Sequence, residues 1–428
     1  MTSLLSAFVR AGWFIVLIGF LAVRSARCQE SAGERLNQAE INEKLLQRIE
    51  QLENEVKQLQ EKQAADKQAS TTSAAPAPVQ VPMEPTEIDM HTPNEVAPRL
   101  KLNVFADVGA QGYSHSPDTF LLGSLDLFMT ARLSRQVSAL GEVLFIAENN
   151  NVIVPDVERL LLKYKQSDYF SISAGRFHSW VGYYNTAFNY GEFLETTTDR
   201  PFMYAFDDQG GILPMQDVGV NLTGRIPSGK MGLNYVFEVS NGEAYGPNVE
   251  PTQNNQATHN SKAINGGLFM RPNAVSGLQL GFSLRYDNLS IPGPAVHETL
   301  ATVHVVLDDG RNEILNEVAL VRHAETAGPV FNTSAFYTQW SRAFGKVRPF
   351  FRYQYFNAPN NDPAYIFSSP NDYAPLSSTG FVGRINGPST GVRYDFTGHS
   401  ALKLQYDRIS LRGFDTQNGL TSQVAFTF

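Results

Sequence analysis

Short segments in which apolar and polar residues alternate recur from Arg99 to the C-terminus. In one of them Leu278, Leu280 and Phe282 alternate with Gln279 and Ser283. A period of two is that of a β-strand with one apolar face and one polar face. In a barrel that crosses a membrane, the apolar face contacts lipid and the polar face contacts water inside. The alternation therefore predicts an all-β transmembrane antiparallel barrel over residues 99–428.

The connections between these segments also alternate in length. Every second connection is brief, whereas the intervening ones include the long segments 177–214, 241–261 and 357–386. Membrane barrels have short turns on the periplasmic side and longer loops outside. A soluble β-sandwich has no reason to produce this regularity. Counting the connections gives about 16 strands, with both ends of the barrel on the periplasmic side.

Two segments leave the strand count open by one hairpin. Val137 to Glu148 carries apolar residues on both faces, and Ile314 to His323 has Glu317 and Arg322 on opposite faces. Either segment departs from the simple rule of apolar outside and polar inside. Counts of 14 or 18 strands therefore remain alternatives.

The last ten residues, Gly419 to Phe428, end the chain on an apolar row that nothing follows. Val424, Phe426 and Phe428 lie on one face of this period-two run. We expect them to close the barrel against the strand that begins near Leu100. Taken alone, the segment would also fit the last strand of a soluble sandwich.

The N-terminal 28 residues have the pattern of a secretory signal peptide. About 13 apolar residues, Ala11 to Val23, lie between Arg10 and Arg24. The alternative is a retained anchor helix, which the short apolar run and the following arginines disfavour. Cys28 is the only cysteine in the chain, so a fold stabilised by disulfides is excluded.

Residues 29–63 have helical periodicity and are predicted to form a short periplasmic coiled coil. The residues of its seam alternate spacings of four and three: Leu45, Ile49, Leu52, Val56 and Leu59. The expected partner is another copy of the chain, and the alternative is a single solvated helix. β-Branched residues at a with Leu at d favour two strands. Residues 64–98 are rich in Pro and Ala and form a linker.

This organisation resembles that of Gram-negative outer-membrane porins with an N-terminal periplasmic coiled coil. Within the barrel, Ala174 to Gly224 contains AGRFHSWVGYYN, TTTDRP, GGILP and VGVNLTG, and is similar to the corresponding region of the phosphate-selective type of porin. The resemblance implies a channel in the outer membrane and a trimer rather than a dimer. No residue of a phosphate site is carried over from it.

The third external loop, Phe177 to Pro214, is rich in aromatic residues and is predicted to fold into the lumen. Porins commonly fold the loop at this place inward, and the aromatic side chains require a surface to pack on. We expect it to bring charged residues to a constriction: Glu192, Glu195, Asp199, Arg200, Asp207 and Asp208. The alternative is a lid packed on the rim or on a neighbouring protomer.

Basic residues at inward positions late in the chain are predicted to face this loop across the pore. They are Lys346, Arg348, Arg352, Arg393 and Lys403. Such a stripe would attract anions. The alternative is that these charges only solvate a wet lumen, since Asp395 and Asp407 share the same strands.

Other classes of function find little support in the sequence. The eight histidines are scattered without metal-ligand spacing, and no nucleophile elbow or phosphate loop occurs, so we expect no enzyme activity, metal or cofactor. A pI near 5.6 disfavours nucleic-acid binding. Asp and Asn in 357–372 are a weak candidate for calcium. We expect passive diffusion of small hydrophilic solutes, with an anion preference; the alternative is a barrel that anchors an adhesion or envelope-tethering function.

Overall fold

Sixteen strands form one closed antiparallel barrel in the computed structural model. The structure describes residues 99–428 except 115, 148–151, 189–191, 206–211, 246–250, 253–254, 258–259, 290, 292–294, 360, 365–382 and 413. The barrel strands are β1 (Arg99–Tyr113), β2 (Thr119–Arg132), β3 (Val137–Ala147), β4 (Ile153–Ser167), β5 (Phe170–His178), β6 (Gln216–Arg225), β7 (Leu233–Ser240), β10 (Ala263–Met270), β11 (Leu278–Leu289), β12 (Val296–Asp308), β13 (Asn312–Glu325), β14 (Val330–Arg342), β15 (Val347–Asn357), β16 (Arg384–Thr397), β17 (Ser400–Leu411) and β18 (Gln417–Thr427). The predicted fold class and the count of 16 strands are confirmed.

Each barrel strand pairs with its neighbours along the chain, apart from one short interruption. β7 pairs with β10, and between them β8 (Ala244–Tyr245) and β9 (Pro251–Thr252) form a separate two-stranded ribbon. The described helices comprise α1 (Tyr184–Ala187) and two short 3-10 turns, Phe202–Tyr204 and Gly229–Met231. In the part of the chain that the structure describes, every helix is too short or too polar to cross a membrane.

The connections alternate between two rims of the barrel, and the three longest all lie at the same rim. The turn rim carries the brief connections 133–136, 168–169, 226–232, 271–277, 309–311, 343–346 and 398–399. The loop rim carries 114–118, 148–152, 179–215, 241–262, 290–295, 326–329, 358–383 and 412–416. This is the alternation that the sequence predicts. β1 begins and β18 ends at the turn rim.

The barrel closes between the first and last strands. Phe426 lies opposite Ala106, and Val424 lies opposite Val108. The backbone N–H of Phe428 donates to the Val104 carbonyl at 3.0 Å, and the N–H of Val104 donates to the Phe428 carbonyl at 2.9 Å. The terminal residue therefore belongs to the seam that removes the open edges of the sheet.

Most strands present an apolar face outward and a polar face inward. On β11 Phe282 and Leu284 are exposed on the outside, whereas Arg285 and Asp287 are buried inside. Such a surface suits a barrel that is surrounded by lipid.

The predicted signal peptide (1–28), coiled coil (29–63, including its seam) and linker (64–98) lie outside the described residues.

The structure also accounts for the two segments that left the strand count open. On β3 the inward face itself carries apolar residues, because Leu140 and Leu144 are buried there beside Glu142. On β13 Glu317 is buried inside and Arg322 is exposed outside, three residues before the strand ends at the loop rim. A charge on the outer face costs little near a membrane interface, so Arg322 is compatible with a spanning strand.

Candidate functional site

The connection between β5 and β6, residues 179–215, enters the barrel and is here called the inner loop. Its residues Val181, Tyr184 and Tyr204 are at most 1% exposed, although they belong to no strand. They form one apolar cluster with inward residues of the wall such as Leu315 and Tyr337. Burying one large aliphatic or Phe side chain contributes about 1.5–3 kcal/mol. The aromatic side chains of the inner loop therefore pack it against the wall.

A single carboxylate, Glu317 on β13, receives four hydrogen bonds at the start of the inner loop. The backbone N–H groups of Tyr183 and Tyr184 donate to it at 2.5 Å and 2.9 Å. The hydroxyls of Tyr204 and Tyr337 donate to it at 2.8 Å and 2.5 Å. The side chain of Glu317 is 1% exposed, so these donors replace the water that a buried carboxylate requires.

Gly182 allows this close approach. Its φ is +84°, and a Cβ at this position would lie 1.8 Å from the Tyr204 hydroxyl and 2.5 Å from Oε2 of Glu317. Glycine adopts a positive φ at little cost and adds no side chain. Wall side chains also accept hydrogen bonds from two further N–H groups of the inner loop. The Trp180 N–H donates to Glu238 at 3.0 Å, and the Phe202 N–H donates to Gln354 at 2.9 Å.

Three of the predicted basic residues bind a second part of the inner loop, residues 192–199. Arg352 donates to the Asp199 carbonyl at 2.8 Å and to its carboxylate at 2.5 Å. Arg393 donates to the carbonyls of Phe193 and Glu195 at 2.6 Å and 2.9 Å. Lys403 donates to the carbonyls of Glu192 and Thr197. Backbone carbonyls buried without a partner are costly, and these cations satisfy them.

The arrangement of the basic stripe differs from the prediction. Arg352, Arg393 and Lys403 lie beneath the inner loop instead of facing it across open water, and Arg352 and Lys403 are fully buried. Lys346 lies exposed in the β14–β15 turn and donates to the Phe396 carbonyl. Arg348 donates to Ser341 and to the Gly310 carbonyl near the turn rim. The reason is that a loop inside a barrel needs donors for its carbonyls, and the nearest strands supply them.

The acidic residues of the inner loop are mostly enclosed. Burial raises the pKa of Glu192 well above its usual value, and the nearby charge of Glu195 raises it further. Burial also raises the pKa of Glu195. Asp199 is bound by Arg352 and by Gln405, whose amide donates to it at 2.6 Å. The predicted residues Asp207 and Asp208 lie outside the described residues.

Arginines on the wall formed by β4 and β5 are part of the site and were missed from the sequence. The guanidinium of Arg159 lies 5.2 Å from the ring centroid of Phe128, and that of Arg200 on the inner loop lies 5.5 Å from that of Tyr184. Arg176 on β5 and Arg200 on the inner loop are buried, and the side chain of Arg159 is 19% exposed. The inner loop and this wall therefore both contribute arginines to the interior of the barrel.

Carboxylates on the same wall balance part of this charge. Glu142 accepts two hydrogen bonds from Arg159, one of them at 2.9 Å. Asp156 lies 3.8 Å from Arg176. A bulge between β3 and β4 at Glu142 shifts the register. Strict alternation does not resolve which residues of β4 point inward there, so the sequence contains no clear signal for these arginines.

Solved structures of outer-membrane proteins share this fold. The chain is similar to the anion-selective porin from Comamonas acidovorans, with 12% identity over 78% of this chain and 100% of that chain and a TM-score of 0.54. It is similar to the trimer form of OmpT from Vibrio cholerae, with 12% identity over 78% of this chain and 100% of that chain and a TM-score of 0.51. It is also similar to the outer membrane channel DcaP of Acinetobacter baumannii, with 9% identity over 77% of this chain and 97% of that chain and a TM-score of 0.51. No protein-family profile and no curated protein sequence matches the chain. At these identities the likeness shows the fold.

Proposed function

We propose that this chain is a porin of the Gram-negative outer membrane through which small hydrophilic solutes diffuse passively. The observation that carries the proposal is the inner loop, which charged and polar side chains hold inside a closed barrel. Sixteen strands with an apolar outer face suit a membrane channel. The anchors of the inner loop described above lie on β7 and β13–β17. The inner loop is therefore held against that part of the wall and narrows the passage.

We infer that the passage prefers anions. Arg200 on the inner loop and Arg159 and Arg176 on the wall are cations inside the barrel, and cations at a narrow place raise the local concentration of anions. Arg352, Arg393 and Lys403 act in this proposal as anchors that set the position of the inner loop. Lys346 and Arg348 supply charge near the turn rim.

The anion preference is tested by the reversal potential in a KCl gradient across a planar bilayer. Arg200→Gln should shift it towards cations. Arg225→Gln removes an exposed arginine at the turn rim and is the matched control. An unchanged reversal potential in Arg200→Gln would remove the anion preference and leave the channel proposal intact.

We further propose that the chain forms a homotrimer in the outer membrane, with the predicted helix of residues 29–63 in the periplasm. The trimer form of OmpT has the same fold, and the predicted seam needs a partner for its apolar residues. Chemical cross-linking of the purified full chain should give trimers. Deleting residues 29–63 should reduce them, and a monomer with the intact chain would contradict this part.

Liposome swelling tests the main proposal. Vesicles that contain the full chain should swell in small sugars and amino acids, at rates that fall as the solute becomes larger. A barrel that only anchors another function would pass none of them. No swelling with correctly inserted protein would therefore overturn the proposal.

A further inference from the structure

Three exposed arginines form a basic patch on the outer face of the barrel near the loop rim. Arg384 is the first residue of β16, Arg408 lies on β17, and Arg412 follows the end of β17. Their inward neighbours Ile385 and Leu411 are buried and paired with each other. Because side chains alternate along a strand, the three arginines point away from the lumen.

The patch spans β16 and β17, with Arg408 four residues before Arg412. The N–H of Arg412 donates to the Arg384 carbonyl at 3.0 Å, which places these residues side by side. Arg408 lies opposite Asn418 on β18. The guanidinium of Arg412 donates to Asn357 at 3.2 Å. Exposed Tyr406 and Phe414 flank the patch, as aromatic residues do at a membrane interface.

The positive charge of the patch is not compensated by the described protein residues. None of the ion pairs among the described residues involves Arg384, Arg408 or Arg412. The outward positions of β16–β18 carry no Asp or Glu. The nearest exposed carboxylate along the chain is that of Asp415 in the following loop. An anion from outside the chain would therefore meet three cations.

The height of the patch matches the headgroup layer of a membrane. β17 begins at Ser400 on the turn rim, and a strand tilted by about 40° rises about 2.5 Å per residue along the barrel axis. Arg408 then lies about 20 Å above the turn rim and Arg412 about 30 Å above it, whereas the apolar band is about 25 Å tall. Arg412 and its neighbour Arg384 therefore lie about 5 Å beyond the far edge of the band, and Arg408 lies about 5 Å inside it, from where its long side chain reaches towards the headgroups.

We propose that this patch binds the phosphate groups of the phosphorylated glycolipid that forms the outer leaflet. The inference rests on the membrane orientation proposed above, with the loop rim outside. Guanidinium groups form paired, charge-assisted hydrogen bonds with phosphate oxygens. Acyl chains of the same lipid would cover the apolar surface below the patch, including Leu404 and Leu420, which are exposed on β17 and β18.

The test measures lipid binding to the purified full chain in phosphatidylcholine nanodiscs. A glucosamine-disaccharide lipid with two phosphates is titrated in, and its dephosphorylated form is titrated separately. The variant is Arg384→Gln/Arg408→Gln/Arg412→Gln. The control, Lys101→Gln/Arg225→Gln/Lys230→Gln, removes the same charge from exposed residues at the turn rim.

Affinity for the phosphorylated lipid should fall about fivefold per arginine removed, hence about 100-fold in the triple variant, and should hold in the control. The dephosphorylated lipid should bind both proteins equally weakly. Equal affinity in the variant and the wild type would overturn the proposal. Displacement by millimolar inorganic phosphate would assign the patch to free phosphate instead of lipid, and loss of the oligomer without loss of lipid would assign it to a second copy of the chain.

A separate measurement distinguishes this inference from the proposed function. Planar-bilayer conductance of the triple variant should equal that of the wild type, because the three arginines lie outside the lumen. If the wild type forms no channels, the proposed function fails, whereas lipid binding is still decided by the titration.

Discussion

The carboxylate of Glu317 offers the sharpest test of how the inner loop is held. It accepts hydrogen bonds from the N–H groups of Tyr183 and Tyr184 and from the hydroxyls of Tyr204 and Tyr337. Glu317→Ala removes all four acceptors at once. The barrel itself should survive, because backbone pairing of β13 with β12 and β14 does not involve this side chain.

The loss of docking free energy in Glu317→Ala depends on which of the four donors can find another acceptor. The Tyr204 hydroxyl already lies 3.1 Å from the Val181 carbonyl and can turn to it, and the hydroxyl of Tyr337 can rotate. The two backbone N–H groups cannot rotate. A buried donor left without an acceptor costs about 1–3 kcal/mol, so Glu317→Ala should weaken docking of the inner loop by about 2–6 kcal/mol. This corresponds to a shift of about 30-fold or more in the docking equilibrium.

Single-channel recording in planar bilayers measures this shift. The variant should show larger and noisier conductance steps than the wild type. Glu298→Ala is the matched control, since Glu298 is an equally buried inward carboxylate on β12 that pairs with His323 and not with the inner loop. Wild-type conductance and noise in Glu317→Ala, with normal insertion, would refute the docking account.

Three further changes should have defined results. Gly182→Ala should release the inner loop in the same way, because its Cβ would meet the Tyr204 hydroxyl at 1.8 Å; unchanged conductance would contradict the close packing. Burial raises the pKa of Glu192 and Glu195, so the docked carboxyls hold protons more tightly than undocked ones. Their contribution to docking is therefore full below the ordinary Glu pKa of about 4.3 and is lost as the pH rises through the raised values. Channel noise should increase with pH in the wild type and should not change with pH in Glu192→Gln/Glu195→Gln. Wild-type noise that does not change with pH would contradict this prediction. Deleting Phe428 removes two backbone hydrogen bonds to Val104 and should lower the yield of heat-modifiable barrel on gels without changing the conductance of inserted channels; full yield would count against its role in closure.

The barrel was predictable because its signals are local. Alternation along a segment such as Leu402 to Asp407 reports which face meets lipid, and connection lengths report which rim is which. Both depend on residues a few positions apart. Alternation does not identify the inward residues on β3, where the inward Leu140 and Leu144 are apolar. It also does not identify them at the bulge beside Glu142. In both places the lumen side is packed instead of wet.

The arrangement of the site was less predictable because its contacts are distant in sequence. Arg352 binds Asp199 across 153 residues, and Lys403 binds Thr197 across 206. The sequence shows inward cations and an aromatic loop, but alternation cannot tell whether the loop faces those cations or lies on them. The deciding factor is the number of backbone carbonyls that an inward loop must satisfy. That number becomes visible only when the path of the loop is known.

The central claim, that the inner loop narrows a water-filled channel, is tested most directly by single-channel conductance with and without that loop. The full chain is compared in planar bilayers with a variant in which residues 181–212 are replaced by a short Gly-Ser link. Both proteins should give discrete conductance steps, and those of the variant should be larger. Equal steps would show that the inner loop does not limit the pore, and the absence of steps in both proteins would show that the barrel is not a channel.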